Sequence, residues 1–389
     1  MLTLDMPAAI DAVVFSDAAL EETEEFALGV RELRKRLPTI RRWYTSDDNA
    51  LPAADFPAWS DAPWLLAVLN PALLISDNLL PELMAVADGA TPCVLPADPR
   101  GFTPGAALDY ATRPGFDRFV ARLASGPRRG NYDRRQPWLY LVTREALADL
   151  GAQHADLSWS AVPALLGART AIAHHAFVHS YADYYSSTRS EMLRLLPPDT
   201  KTLLDVGGGV GNFARAFIAE RGGQATLLEQ NTRAAATARA QGLTVLAGDF
   251  ESVPVSERYD CVALLEVLEH LADPLAALVK ARQVLRPNGS LLLSVPNLGH
   301  WSVVWDLLEG KFDYQPVGIL CNTHLRFFTR PTLEMLLLDA GFRVERWENL
   351  PSPPPEAFAA FLRTSATPGV APDLDSLSTE GFHVLARRD

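Results

Sequence analysis

The stretch LLDVGGGVGNF, residues 203–213, places four glycines within five positions, directly behind a short apolar run that contains Asp205. The apolar run predicts a buried strand, and NFARAFIAERG after it predicts a helix. A glycine-rich turn between a strand and a helix lets a ligand approach bare backbone at the helix N-terminus. We therefore expect a ligand site at this turn.

The spacing of the glycines separates two kinds of ligand site. A dinucleotide fingerprint needs G-x-G-x-x-G, but the count from Gly207 meets Asn212 where the third glycine belongs. The spacing is instead D-x-G-x-G-x-G, and its members are Asp205, Gly207, Gly209 and Gly211.

Bulk composition limits the class of protein. The chain has 389 residues, which predicts two domains. No run of apolar residues is long enough for a membrane helix, and the N-terminus lacks the features of a signal peptide. The three cysteines form no CxxC pair, which fits a reducing cytoplasm. A net charge of −12 repels phosphate backbones and weighs against nucleic acid as a partner.

The C-terminal half alternates between strand and helix patterns. Strands are predicted at KTLLDVG, QATLLEQN, LTVLAGDF, YDCVALLEV and GSLLLSVPN, with helices between them, and FRVERWENL and GFHVLARRD supply two last strands. Such alternation predicts parallel strands joined by crossover helices. The fold class is therefore α/β.

The D-x-G-x-G-x-G pattern resembles motif I of class I S-adenosylmethionine (SAM) methyltransferases. Glu229 ends the next strand, where an acid can accept both ribose hydroxyls. The resemblance implies that Asp249 receives the adenine amino group and that Phe250 lies beside the ring. It also implies a Rossmann-like, seven-stranded methyltransferase sheet. We add Gln230 and Leu265, each at a strand end, to the predicted cofactor-binding residues.

The resemblance extends over about residues 176–389. HAFVHSYADYYSSTRSEML (175–193) is similar to the lead-in helix of such enzymes, whose tyrosines close over the methionine end of SAM, and this implies a role for Tyr185. The segment from residue 297 onward resembles a bacterial subgroup associated with sugar and cell-surface biosynthesis and related to the ubiquinone O-methyltransferases. Residues 297–328 would form a cap over the acceptor, with His300, Trp301 and Arg326 as acceptor contacts.

An E-x-x-E-H pattern supplies the candidate chemistry. If a helix begins at about residue 266, then Glu266, Glu269 and His270 share one face. The pattern resembles the metal motif of small-RNA 2′-O-methyltransferases and ubiquinone O-methyltransferases, which implies His324 as a fourth ligand for Mg²⁺, Mn²⁺ or Zn²⁺.

Two other interpretations of this pattern stay open. Glu266, His270 and His324 are candidates for removing the acceptor proton or positioning the acceptor without a metal. A purely structural role is the third interpretation, because similar sequences are widespread in methyltransferases that bind no metal.

The N-terminal part, residues 1–160, predicts a smaller α/β domain. The run PWLLAVLNPALLISDNLLPELMAV resembles the nucleotide-sugar region of GT-A glycosyltransferases, but Ala72 stands where that family places a metal-binding acid. The hypothesis is a degenerate GT-A-like domain kept for acceptor binding or dimerisation. Residues 161–200 are predicted as a helical linker with the lead-in helix, and residues 201–389 as the methyltransferase domain.

The sequence thus predicts a cytoplasmic SAM-dependent methyltransferase that acts on a small hydroxylated acceptor, such as a sugar or glycan precursor. The alternatives are N- or S-methylation of a small molecule, a bifunctional glycosyltransferase–methyltransferase, and a non-catalytic SAM-binding subunit. No nucleic-acid or membrane partner is expected, and a homodimer is left open.

Overall fold

The computed structural model describes residues 9–16, 24–47, 52–71, 73–99, 111–123, 126–135, 137–180, 188–315, 318–365 and 371–388. The chain divides into two compact units. The first unit holds residues 1–108 and 116–182, and the second holds residues 109–115 and 183–389. Within the described ranges, every helix is too short or too polar to cross a bilayer.

The first part of the chain alternates strands with helices. In chain order, its elements are β1 (Ile10–Ser16), α1 (Glu24–Arg36), β2 (Arg42–Asp47), α2 (Phe56–Trp59), β3 (Trp64–Val68), β4 (Leu73–Ile75), α3 (Leu79–Val86), β5 (Cys93–Ala97), α4 (Arg113–Leu123), β6 (Arg129–Asn131), β7 (Leu139–Thr143), α5 (Arg144–Gln153), α6 (Val162–Leu166) and β8 (Thr170–Ser180).

The described strands of the first unit form one mixed sheet in the order β2-β1-β3-β7-β5-β8-β4, with β6 also paired to β8. Strand β1 is parallel to β2 and β3, whereas β7 is antiparallel to β3 and β5. Apolar residues are buried on both faces of β1, with Val14 in one core and Phe15 in the other. The first unit is therefore an α/β layer, and its likeness to GT-A glycosyltransferases stays a prediction.

The expected helical linker over residues 161–200 is wrong in its described part. A short helix, α6, is followed by the long strand β8, which pairs in parallel with β5 and belongs to the sheet of the first unit. Small, branched and aromatic residues such as Ile172 and Phe177 favour a strand here, because β8 is buried on both faces. Between β8 and the next strand, the described residues 188–201 contain a 3₁₀ turn, Ser190–Leu195.

The second unit carries the following elements in chain order: β9 (Thr202–Val206), α7 (Asn212–Arg221), β10 (Gln224–Glu229), α8 (Thr232–Ala240), β11 (Thr244–Ala247), β12 (Tyr259–Leu265), α9 (Pro274–Val284), β13 (Leu285–Pro296), α10 (Trp301–Leu308), α11 (Arg330–Asp339), β14 (Phe342–Pro351), α12 (Glu356–Thr364), α13 (Leu374–Leu377) and β15 (Thr379–Arg388).

Seven strands in the described part of this unit form a sheet in the order β11-β10-β9-β12-β13-β15-β14. The first five run parallel, and β15 is antiparallel to both β13 and β14. The chain moves outward from β9 through β10 to β11 and then restarts on the other side with β12. In open parallel sheets, ligands bind beyond the carboxyl ends of the strands where the order reverses, so the expected crevice lies beyond β9 and β12.

Two hydrophobic cores cover the faces of this sheet. One core packs α9 and α11 against the sheet through side chains such as Leu278, Leu333 and Val262. The other packs the Ser190–Leu195 turn and α7 through Met192, Phe217 and their neighbours. Helices on both faces hold the strand ends at fixed positions, and the predicted site residues lie on the loops that follow those ends.

Candidate active site

The glycine loop after β9 needs glycine at every position where the sequence has one. Gly207, Gly209 and Gly211 all have positive φ, at 67°, 59° and 78°, a region that other L-residues enter only with strain. Gly208 has a different reason, because a Cβ there would lie 2.3 Å from an oxygen of Asp205. The loop therefore brings bare backbone to the N-terminus of α7.

Asp205 supports this loop from below. Its side chain is fully buried, and its carboxylate accepts the N–H of Ala214 in the first turns of α7. Burial raises the pKa of Asp205 to about 7, and the negative charge of Glu229 adds to the effect. The geometry thus makes Asp205 a residue that shapes the loop from beneath.

Glu229, at the end of β10, ties the glycine loop to the neighbouring strand. Its Oε2 accepts the N–H of Gly209 at 2.8 Å, and its Oε1 accepts the N–H of Asn231 at 2.7 Å. A carboxylate has about four lone-pair positions, which is more than these two hydrogen bonds occupy. The predicted ribose acid is therefore also a structural part of the loop.

The other predicted cofactor residues occupy different environments. Asp249 is half-buried on the loop after β11, and Gln230 is exposed after β10. Phe250 is only 3% exposed and belongs to the same hydrophobic core as Tyr259, and its place beside the adenine ring stays a prediction. Leu265 is buried at the end of β12. Tyr185 lies outside the described residues.

The predicted helix that carries E-x-x-E-H is also wrong. After β12, Glu266 has a φ of 57°, and Leu268–His270 form a single 3₁₀ turn. Helix α9 begins only at Pro274, where Asp273 caps it by accepting the N–H of Ala276. Proline at the first turn and a capping aspartate explain this late start.

Three of the four predicted metal ligands nevertheless lie together. Ligand atoms of Glu269, His270 and His324 lie within 4.8 Å of one another. The Nε2 of His324 is 4.0 Å from Oε1 of Glu269, and the two imidazole rings are 4.7 Å apart, edge to face. The loop from 309 to 329 brings His324 to this place, and the N–H groups of Leu325 and Arg326 donate to the carbonyl of Glu269.

Hydrogen bonds fix the tautomers of both imidazoles. Nδ1 of His324 lies 3.0 Å from the carbonyl of Ile319, and Nδ1 of His270 lies 3.3 Å from the carbonyl of Thr323. A carbonyl can only accept, so each Nδ1 carries a proton, and in the neutral form of either ring Nε2 has the lone pair. Burial lowers the pKa of His324 to about 4, with a further contribution from His270, so this ring is neutral at pH 7.

Glu269 is fully buried, and neither carboxylate oxygen has a hydrogen-bond partner. Burial raises its pKa well above the usual range, and the nearby charge of Glu266 raises it further. Burying an unpaired carboxylate is costly, so this group holds either a proton or a cation. Within the cluster, Glu269 is thus the carboxyl group whose ionised form is costly.

Glu266 stands apart from this cluster and faces a residue that the motifs did not indicate. Its Oε1 is 4.0 Å from Nη1 of Arg189. Arg189 also has positive φ, at 47°, so two residues other than glycine are held in an unfavourable conformation on the two sides of one ion pair. No pattern around Arg189 marked it, because its contact depends on the fold.

The structure does not offer His300 and Trp301 to an acceptor. His300 caps α10 with Nδ1, its Nε2 donates to the carbonyl of Ser352, and burial lowers its pKa to about 4. Trp301 is buried and donates to the same carbonyl. Their predicted acceptor contacts are therefore wrong in this conformation. Arg326 is exposed and donates to the carbonyls of Leu325 and Ala272.

Comparison with known proteins agrees with this geometry. Residues 177–346 match a family described as a methyltransferase domain. The ubiquinone biosynthesis O-methyltransferase of Pseudomonas paraeruginosa is 30% identical over 157 residues, which are 37% of this chain and 66% of that protein. The corresponding protein of Psychrobacter arcticus is 27% identical over 152 residues, 36% of this chain and 59% of its own.

A ubiquinone/menaquinone biosynthesis C-methyltransferase of Paracoccus denitrificans is 28% identical over 182 residues, 40% of this chain and 72% of that protein. The chain spans 59–66% of the length of the two O-methyltransferases. This chain therefore contains a SAM-dependent methyltransferase domain, which the family match places at residues 177–346.

We expect Gly209→Ala to weaken binding of S-adenosylhomocysteine at least about tenfold, because the new methyl group would project from the loop at the cofactor site. The cost in stability should be about 1–2 kcal/mol, from the positive φ alone, since a Cβ there contacts no other atom. Calorimetric titration and thermal unfolding measure the two effects.

Gly222→Ala is the matched control. Gly222 caps the far end of α7 with a φ of 63°, and a Cβ there also contacts nothing. Its cost in stability should equal that of Gly209→Ala, while cofactor binding stays unchanged. Equal binding by both variants would contradict the assignment of the loop.

Asp205 predicts a dependence of stability on pH. Its folded pKa of about 7 is raised above the unfolded value of about 4, so the unfolded chain loses its proton first as pH rises. The free energy of unfolding should therefore fall between pH 4 and 7, by an amount on the order of a few kcal/mol. Asp205→Asn should remove this slope and melt higher than the parent protein at pH 8. Parallel melting curves for both proteins across this range would refute the burial argument.

Proposed function

We propose that this protein transfers the methyl group of SAM to a hydroxyl of a small acceptor. One observation carries the proposal. The glycine loop follows β9, the Glu269–His270–His324 cluster includes the turn after β12, and β9 and β12 are adjacent parallel strands. A cofactor on the first loop would thus lie beside a cluster able to accept a proton.

The cofactor is proposed to lie along three successive strand ends. Glu229 is suited to the ribose hydroxyls, and Asp249 to the adenine amino group, because each carboxylate follows the next strand of the sheet. Arg189 is the candidate for the carboxylate of the methionine part, since a guanidinium pairs well with that group. Arg189 lies outside the sequence motifs, and its candidacy for binding this carboxylate comes from its place in the fold.

Transfer to a hydroxyl needs alignment of the acceptor oxygen with the methyl group and removal of its proton. Alignment supplies most of the acceleration in such reactions, and a positioned base adds roughly 10²–10⁴-fold. The Nε2 lone pairs of His270 and His324 are the proposed acceptors of that proton. Glu266, held by Arg189, is proposed to orient the acceptor.

As an alternative to proton transfer by the imidazoles, Glu269, His270 and His324 fit a divalent metal. Imidazoles whose Nδ1 protons are bonded to carbonyls are typical of metal-binding histidines, and Glu269 brings a buried carboxylate without a hydrogen-bond partner. When bound, the metal would lower the pKa of an acceptor hydroxyl. Glu266 is not part of this group, so the proposed ligands are Glu269, His270 and His324.

The acceptor class is inferred from the cluster and from the resemblance of the sequence. The named relatives include O- and C-methyltransferases, so similarity alone leaves the acceptor atom open, and the proton-accepting cluster favours oxygen. A sugar or glycan precursor is proposed from the resemblance of the sequence to sugar-related enzymes. The first unit is proposed to serve acceptor binding or dimerisation.

The cofactor assignment is tested by calorimetric titration with S-adenosylhomocysteine. Asp249→Ala should weaken binding about tenfold or more, because the adenine amino group loses its acceptor. Glu251→Ala is the control, since it removes an exposed acid from the same loop. Equal losses in both variants would show a general charge effect and remove the role of Asp249. Turnover is then sought with methyl-labelled SAM against panels of sugars and phenols.

The metal proposal is tested by metal content as well as activity. Protein incubated with Mg²⁺, Mn²⁺ or Zn²⁺ and desalted should retain about one ion per chain, and Glu269→Gln and His324→Ala should each lose it. His154→Ala removes an exposed histidine elsewhere and should retain the ion. Metal-free protein with full activity in chelator would leave the three residues with proton transfer and positioning only.

A further inference from the structure

Lys280, on α9, reaches across to the loop that carries Asp249. Its Nζ donates to the carbonyl of Phe250, to the carbonyl of Val253 at 2.7 Å, and to the carbonyl of Glu251 at 3.4 Å. The ammonium also lies 5.1 Å from the centre of the Phe250 ring. One side chain therefore contacts three carbonyls and the aromatic ring of a single short loop.

Within the described residues, no backbone N–H donates to those three carbonyls. The N–H groups of Ser252 and Val253 both donate to the carbonyl of Asp249, which closes one tight turn, and Gly248 before it has a φ of 134°. No helix continues from this turn to use the carbonyls that follow. A lysine ammonium has three donors and matches three such acceptors.

The position of Lys280 is itself fixed by packing. Helix α9 buries Ala277, Leu278 and Ala281 in the main core of the second unit. Phe250 is buried in the same core, directly beneath the ammonium. Because the core holds α9 in place, the hydrogen bonds of Lys280 fix the turn at 249–253 relative to this helix.

The turn, in this position, fixes the orientation of the Asp249 carboxylate. The N–H of Glu251 donates to Oδ1 of Asp249 at 3.2 Å, so the orientation of this side chain depends on the path of the two residues after it. Those are the residues whose carbonyls Lys280 holds. A loosened turn would let the carboxylate rotate away from a bound adenine.

We propose that Lys280 is a positioning residue that sets the selectivity of the cofactor site for adenine. Lys280 holds the turn at 249–253, and the turn in this position directs the Asp249 carboxylate toward the exocyclic amino group of a bound adenine. The inference rests on the proposed function, because Asp249 must face the adenine.

The test compares two ligands that differ only at the base. S-adenosylhomocysteine carries the amino group, and S-inosylhomocysteine has a carbonyl oxygen that cannot donate to a carboxylate. The parent protein should prefer the first by at least about tenfold in Kd, because the second leaves Asp249 facing an acceptor. Lys280→Met keeps the apolar stem but loses the donors, and should lower this preference by about threefold or more.

Two further variants separate positioning from general stability. Lys280→Arg keeps a charged donor and should retain most of the preference, and Lys280→Gln, with one donor group, should lie between Arg and Met. Lys201→Met removes an exposed lysine elsewhere in the second unit and should change nothing. If Lys280→Met does not fold, the Gln and Arg variants still give the ordering.

The outcomes separate this inference from the function on which it rests. Absence of S-adenosylhomocysteine binding to the parent protein would refute the proposed function. Binding without discrimination between the two bases would refute the role of Asp249 and, with it, that of Lys280. Normal discrimination by the parent protein, with an unchanged preference in Lys280→Met or Lys280→Gln, would overturn the inference on Lys280 alone.

Discussion

The hydrogen bond from Gly209 to the carboxylate of Glu229 is the contact on which the cofactor site depends. It joins a loop of three left-handed glycines to the end of the adjacent strand, so the shape of the loop and the position of the Glu229 carboxylate cannot vary independently. Asp205 supports the same loop from beneath, in contact distance of Gly208. Side chains on the glycines would break either the backbone conformation or this packing, which is why the sequence concentrates glycine there.

Much of the second unit follows from local patterns. The strands and helices between residues 202 and 265 lie where alternation predicted them, because buried parallel strands and amphipathic helices each leave a clear period. One of the two errors comes from long-range packing and the other from a local helix cap. Strand β8 replaces a predicted helix because the first sheet buries it on both faces. The turn at Leu268–His270 replaces another, because the capping residue Asp273 starts the helix later.

The sequence predicted which residue types form the site, but it predicted less well which of these residues lie together in the fold. Glu269 and His270 are neighbours in sequence, but His324 reaches them only through a long loop whose path no local pattern describes. His300 looked like an acceptor contact, yet it caps a helix with both ring nitrogens bonded. No sequence motif indicated Arg189 or Lys280, because the role of an isolated cationic side chain depends on the group that it contacts in the folded chain.

The electrostatics of the proposed reaction follow from this arrangement. Glu229 and Glu266 bring two carboxylates to one sheet edge, and Arg189 faces Glu266 there. Glu269 does not add to this charge, because it holds a proton or a cation. Such a site attracts a sulfonium more than a neutral thioether, so it favours the cofactor over the product that has lost its charge. Attraction to the ground state does not by itself speed transfer. The carboxylates would therefore serve binding and product exchange, which leaves acceleration to alignment and to the imidazoles beside them.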